Sequence, residues 1–138
     1  MGKRRKAREL VMKYLYQYEF NHDGKEEDID FFFREMTIDK ELEVFSKKLI
    51  IETLSKMSDI DIVLKKFVDN WDISRIAAID RNILRMAACE MIYFDDIPPI
   101  VSINEGADIA KKYSTSESGK FVNGILDKIK HDLIDKDA

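Results

Sequence analysis

Apolar residues recur along this chain at intervals of three and four, the spacing of one helix face, and no segment requires a sheet. Ala7, Leu10, Val11, Tyr14, Leu15 and Tyr18 predict a helix over residues 3–21. A short acidic helix follows over 25–36, with Ile29, Phe32, Phe33 and Met36 inward. A third, over about 40–56, has Thr37 or Asp39 as its cap and Leu42, Phe45, Leu49 and Ile50 as its stripe. After Ser58-Asp59 a fourth turns Ile60, Val63, Leu64, Phe67 and Val68 inward. Residues 75–94 are the longest and most apolar segment, lined by Ile76, Ile79, Ile83, Met86, Ala87 and Met91, and are expected to form the central helix. Pro98 and Pro99 stop it, because a residue before proline is pushed out of the α region.

Two shorter amphipathic helices close the pattern. Ser102 and Glu105 have the S-x-x-E spacing of a capping box for the first, which runs to about Tyr113. Ser114, Thr115, Ser116 and Ser118 break it and offer caps for the second, whose face is Val122, Ile125, Leu126, Ile129 and Leu133. Gly124 inside that helix costs about 1 kcal/mol against alanine, which predicts close approach of another backbone. Turns are expected at Asn21 to Gly24 and at Asn70 to Ser74, and a frayed tail from Ile134. The reading is all-α, about seven helices in one domain, with a weak boundary at 56–60 that divides 1–57 from 58–138.

Composition agrees. A chain of 138 residues buries about two-thirds of its unfolded surface and needs no staples. Its single cysteine, Cys89, lies in the apolar run Met86-Ala87-Ala88-Cys89 and reads as a buried small hydrophobe rather than a reactive thiol. No run approaches the roughly 18 apolar residues of a membrane span, and Lys13, Gln17 and Glu19 interrupt any signal-peptide core. The expected location is the cytoplasm, with no membrane partner.

Charge changes the picture more. The formal net charge is −4, yet Lys3, Arg4, Arg5, Lys6, Arg8 and Lys13 against Glu9 give +5 at the N-terminus. Cations at a helix N-terminus oppose its dipole. Folding does not explain them, whereas an external anion does: clustered arginines and lysines are the footprint of a phosphate-binding patch. A solubilising tip and a membrane-surface helix are the competing readings. A second candidate is Lys120-Phe121, at the rim of the last apolar stripe. An exposed phenyl beside a lysine can stack on an unpaired base, a contact worth roughly 1–3 kcal/mol. Its bland alternative is a core phenylalanine and a solvated lysine. Tyr16 is either a further stacking residue or half-buried packing. Arg75, Asp80, Arg81 and Arg85 read as ion pairs along a polar face or as a protein-binding surface. His22 and His131 have no nucleophile or metal-ligand spacing, and there is no glycine-rich phosphate loop. Catalysis, a cofactor and a metal are therefore not expected.

Several stretches together resemble the NusB family of bacterial transcription antitermination factors. They are Ile103-Asn104-Glu105, Ala110-Lys111-Lys112-Tyr113 and Lys120 to Lys128 (KFVNGILDK) near the C-terminus. Arg4 to Arg8 leading to Leu15-Tyr16-Gln17, Asn70-Trp71, Arg75-Ile76 and Asp80 to Glu90 occur in the same order and spacing. The resemblance implies two small helical bundles packed across each other. It implies binding of boxA RNA from ribosomal RNA transcripts, together with the small-subunit ribosomal protein NusE, within the RNA polymerase antitermination complex. Lys3, Arg4, Arg5 and Arg8 would hold RNA phosphates, with Tyr16, Lys120 and Phe121 completing that surface. Asp80 would pair with a basic residue of NusE. Four phosphate contacts on a single strand imply a log–log salt slope of about −3. Gly106 stands where many relatives carry alanine, and it should weaken its helix slightly. Phe31 fits either internal packing or the interface of a homodimer. A rival is a stand-alone helical RNA-binding domain related to the one fused to ribosomal RNA cytosine methyltransferases, although the chain has no room for the catalytic domain.

Overall fold

The computed structural model describes residues 2–21, 26–68 and 75–135. Among them are seven α-helices and no strand: α1 (Lys3–Asn21), α2 (Glu26–Arg34), α3 (Lys40–Ser55), α4 (Met57–Phe67), α5 (Ala78–Tyr93), α6 (Pro99–Tyr113) and α7 (Ser116–Ile129). A π-helical turn, Lys130–Ile134, continues α7. The turns expected around His22 and Asn70-Trp71 lie outside the described residues.

Every residue of α5 from Asp80 to Met91 is buried. A helix that meets no solvent on any side must be surrounded, and α5 packs against α1, α3, α4, α6 and α7. One apolar cluster joins the whole assembly, from Ala7, Val11 and Leu15 on α1 through Leu49 and Ile50 on α3 to Ile125, Leu126 and Ile129 on α7. Cys89 lies inside it, and burial pushes its thiol up to about 12. Only Lys56 separates α3 from α4. Ser114 and Thr115 alone join α6 to α7, and those two helices pack along each other.

Four details differ from the pattern-based reading. Helix α5 starts at Ala78, because Arg81 turns back to donate to the Ile76 carbonyl and satisfies it outside the helix. Helix α6 starts at Pro99, whose fixed φ and missing N–H suit a first helical position. Ser102 and Glu105 form no capping box: Ser102 donates to Glu90 Oε1 at 2.8 Å, and Glu105 accepts from Arg5 and Arg8. Thr115, one of the expected cap candidates, does cap α7: its Oγ1 accepts from the Ser118 amide at 3.0 Å. Ile134 does not fray; it packs half-buried against the core.

The glycines also change places. A Cβ on Gly124 would meet nothing within 4 Å. The close approaches are at Gly119, where a Cβ would lie 3.1 Å from the Ala107 carbonyl oxygen, and at buried Gly106, 3.2 Å from Leu126 Cδ1. Gly106 therefore does more than weaken its helix: it lets α6 lie against α7 and α5.

Candidate nucleic-acid interface

The basic N-terminus of α1 divides into two sets. Arg5 and Arg8 point inwards and are 9% and 3% exposed. Arg5 Nε donates to Glu105 Oε1 at 2.9 Å and its Nη2 to Asp108 Oδ2 at 2.9 Å. The Glu105 hydrogen bond holds the Arg5 guanidinium well above its ordinary value, and Arg5 in turn holds the Glu105 carboxyl below its own. Arg8 grips Glu90 with both nitrogens of its fork, at 2.6 and 3.0 Å. Folding thus accounts for these two cations after all. The anions that the dipole argument sought outside the molecule are supplied by α5 and α6, so Arg5 and Arg8 leave the set of phosphate ligands.

Lys3, Arg4 and Lys6 form the other set and are exposed. Lys3 Nζ is 2.8 Å from exposed Asp39. The Arg4 guanidinium lies 4.3 Å from the centroid of the Phe45 ring, a stacking that keeps its charge on the surface.

The inward arginines fix where the outward cations point, because they bind α1 to α6. Further along, Glu9 accepts from Lys112 Nζ at 3.0 Å and from the Tyr113 hydroxyl at 2.7 Å. Burial pushes the Glu9 carboxyl up, but those two hydrogen bonds outweigh it and leave the group below its ordinary value. Lys13 Nζ lies 5.2 Å from the Tyr113 ring centroid. Lys6, Glu9, Lys13, Tyr16 and Phe20 recur at three- and four-residue intervals and so share a strip of α1. Tyr16 is 40% exposed and its ring lies 5.2 Å from that of Phe20.

On the other side of α6, Ala107, Asp108, Lys111, Ser116, Gly119, Lys120 and Asn123 line an open groove of about 450 Å³. Asp108 touches both regions, since it also binds Arg5. The groove passes under the first turn of α7, where the helix dipole favours anions. Lys120 reaches out beside it with only a 3.6 Å approach to Glu117, and Phe121 is 37% exposed. Lys3 and Arg4 lie beside Glu41 and Phe45 of α3, Lys120 lines the groove under α7, and Asp108, which binds Arg5 and lines that groove, stands between them. Tyr16 lies along the α1 strip that starts at Lys6. Lys6, Lys111 and Lys112 join these cations. Of these, Lys6 enters the sequence reading as charge alone and Lys111-Lys112 only as part of the family resemblance, although a lysine pair at the end of an amphipathic helix is a usable signal.

Asp80 is in a different setting. It is only 8% exposed, and its Oδ2 accepts from Ser118 Oγ at 2.9 Å. Its neighbours pair within the fold: Arg81 with Glu19 at 2.7 Å, and Arg85 with Asp61 at 2.9 Å.

The NusB family model matches residues 5–131. The chain belongs to the NusB family. It is 45% identical over 137 residues to the transcription antitermination protein NusB of Salinibacter ruber, covering 99% of this chain and 86% of that one. Its fold superposes on NusB of T. maritima with a TM-score of 0.82 at 37% identity, covering 94% of this chain and 91% of the other. A chain in the crystal structure of antitermination factors NusB and NusE in complex with dsRNA aligns with a TM-score of 0.84 at 27% identity, covering 95% and 98%. Membership makes this NusB-family chain a transcription antitermination factor and not an enzyme. Among the described residues, no helix is long and apolar enough to cross a membrane.

Proposed function

We propose that this NusB-family protein binds single-stranded boxA RNA of ribosomal RNA transcripts, jointly with NusE, and carries both into the RNA polymerase antitermination complex in the cytoplasm. The observation that supports this most directly is the Arg5–Glu105–Asp108 cluster. It locks the basic end of α1 to α6, beside the groove under Lys120, and so joins two short cationic patches into one surface. Lys3, Arg4, Lys6, Lys111 and Lys120 hold phosphates. Phe121 and Tyr16 stack on bases, which single strands can splay out.

The cationic surface is modest, so affinity for RNA alone is weak. A partner that holds the same RNA raises it through effective concentration. The test compares a short boxA RNA with a scrambled one and with a duplex, at one near-physiological salt, each with and without NusE. Preference for boxA that NusE strengthens, and that Lys120→Gln and Phe121→Ala remove, supports the proposal. Equal weak binding to all three RNAs, unchanged by NusE, sinks it.

A further inference from the structure

The groove between α6 and α7 contains a group that phosphate binding does not explain. Lys111 and Lys120 suit an anion there, but Asp108 lines the same groove and its charge opposes one. Holding Arg5 does not account for Asp108 either. Glu105 already takes Arg5 with both carboxylate oxygens, at 2.9 and 2.5 Å, and its side chain is 19% exposed. The Asp108 side chain is 60% exposed, and Arg5 engages only its Oδ2. Oδ1 keeps its lone pairs for another donor. Ser116 and Asn123 of α7 line the groove as well, and both are exposed. The Asn123 amide offers two donors and an acceptor oxygen. Ala107 and Gly119 contribute no long side chain, which leaves about 450 Å³ open. Sites for small ligands span roughly 300–1,000 Å³, so the space admits one base with its ribose.

We propose that this groove takes one splayed base of the bound single strand and selects adenine or cytosine over uracil, with Asp108 and Asn123 reading its edge. The inference rests on the RNA-binding reading above and adds a base preference to it. Adenine and cytosine each present an amino group beside a ring-nitrogen acceptor. A carboxylate only accepts, so Asp108 takes the amino group, and the Asn123 amide donates to the ring nitrogen. Pairings of a carboxylate with cytosine N4 and of asparagine with adenine recur in base recognition. Uracil puts its O4 oxygen where the amino group would be. Two acceptors then face each other, and both are left unpaired once the base has displaced water. Rejection of uracil is thus as much a part of the selection as the contact with the amino group. Lys111 and Lys120 take the flanking phosphates, and they do so for any sequence. Arg5 holds Asp108 at Oδ2, so the reading carboxylate is tied to α1 as well as α6.

The experiment uses the full chain at low salt, about 50 mM, where phosphate contacts are strongest. Its probes are oligo(C) and oligo(U) of roughly ten nucleotides, a length that one small domain covers. The two bases share ring size and stack alike, so the ratio of their affinities isolates the edge. The parent is expected to bind oligo(C) about ten-fold more tightly, the discrimination of one good base-edge contact. Asp108→Asn gives uracil O4 a donor, and the two affinities should then agree within about two-fold. The substitution also removes a negative charge, which raises affinity for both probes alike and leaves their ratio untouched by that route. Asn123→Ala should reduce the ratio to about a third of the parent value. Lys120→Gln should weaken both probes by the same factor and keep the ratio. The three side chains are exposed, and circular dichroism checks that each variant is folded. A parent ratio of one or below, or a ratio that survives either Asp108→Asn or Asn123→Ala, overturns the inference and leaves RNA binding standing. A parent that binds neither probe removes the RNA-binding reading and this inference together.

Discussion

Arg8 and Glu90 meet between α1 and α5 with 4% and 1% of their side chains exposed. Two charges taken this far out of water gain little net stability from each other, but removing one leaves the other buried and unpaired. Arg8→Ala is therefore expected to cost about 3–5 kcal/mol in urea unfolding, and Glu90→Ala a similar amount. The double replacement Arg8→Met/Glu90→Leu should recover most of that loss, although Ser102 then loses its acceptor. Recovery no better than the sum of the single losses would show that the pair is not the cause. The sequence held a signal for this pair. Arg8 lies on the same stripe as Val11, Met12 and Leu15, and Glu90 on that of Met86 and Ala87, so each is a charge on an apolar face. A charge count over α1 hides it, because a count cannot separate an inward arginine from an outward one a residue away. Acid tests the neighbouring contact. Arg5, by its hydrogen bond, holds Glu105 below the ordinary value of 4.5, so the stabilisation is fully present above that pH and is lost as pH falls through the lower folded value. The urea midpoint should be level from about pH 7 to 5 and decline below about 4.5. In Arg5→Gln the part of that decline due to Glu105 should disappear.

At the scale of elements, α6 and α7 form a close pair whose fit depends on two of the three glycines they contain. Adding a methyl at Gly119 pushes against the Ala107 carbonyl, which is backbone and cannot step aside. Gly119→Ala is expected to destabilise by roughly 1–3 kcal/mol, as overpacking does, and to disturb the groove beside Lys120. Gly124→Ala meets open space and should stabilise by about 0.5–1 kcal/mol through helix propensity alone. Thermal unfolding of the two variants, taken together, checks the packing: equal shifts of the same sign would refute it. The helices themselves were legible, since apolar spacing locates α1 to α7 within a few residues. Which glycine touches a neighbour was not, because propensity is a local property and the contact depends on how α6 lies on α7. The same reason hid the true role of Ser102. Its spacing to Glu105 suits a cap, but Pro99 starts the helix a turn earlier and turns Ser102 towards Glu90.

For the molecule as a whole, charge is sorted by depth. Arg5, Arg8, Arg81 and Arg85 serve as internal struts, each with a carboxylate from another element. Lys3, Arg4, Lys6, Lys111 and Lys120 remain outside, on the first turn of α1 and around the groove between α6 and α7. The sequence indicated which end of the chain is basic and which C-terminal residues accompany it. It could not show that two of the six cations at the basic tip are structural, because the partners of Arg5 and Arg8 lie 82 to 103 residues away. This sorting has a measurable consequence in salt. Each phosphate neutralised on a single strand contributes about −0.7 to the slope of log affinity against log salt. Five outward cations predict a slope of about −3.5 for boxA RNA, close to that expected from the four N-terminal cations, but with Lys6, Lys111 and Lys120 in place of Arg5 and Arg8. The variants separate the two. Lys6→Gln and Lys120→Gln should each make the slope shallower by about 0.7, whereas Arg5→Gln should lower stability and leave the slope of the folded protein unchanged. A slope no steeper than about −1.5, insensitive to Lys120→Gln, would confine RNA to the tip of α1 and separate it from the groove under α7.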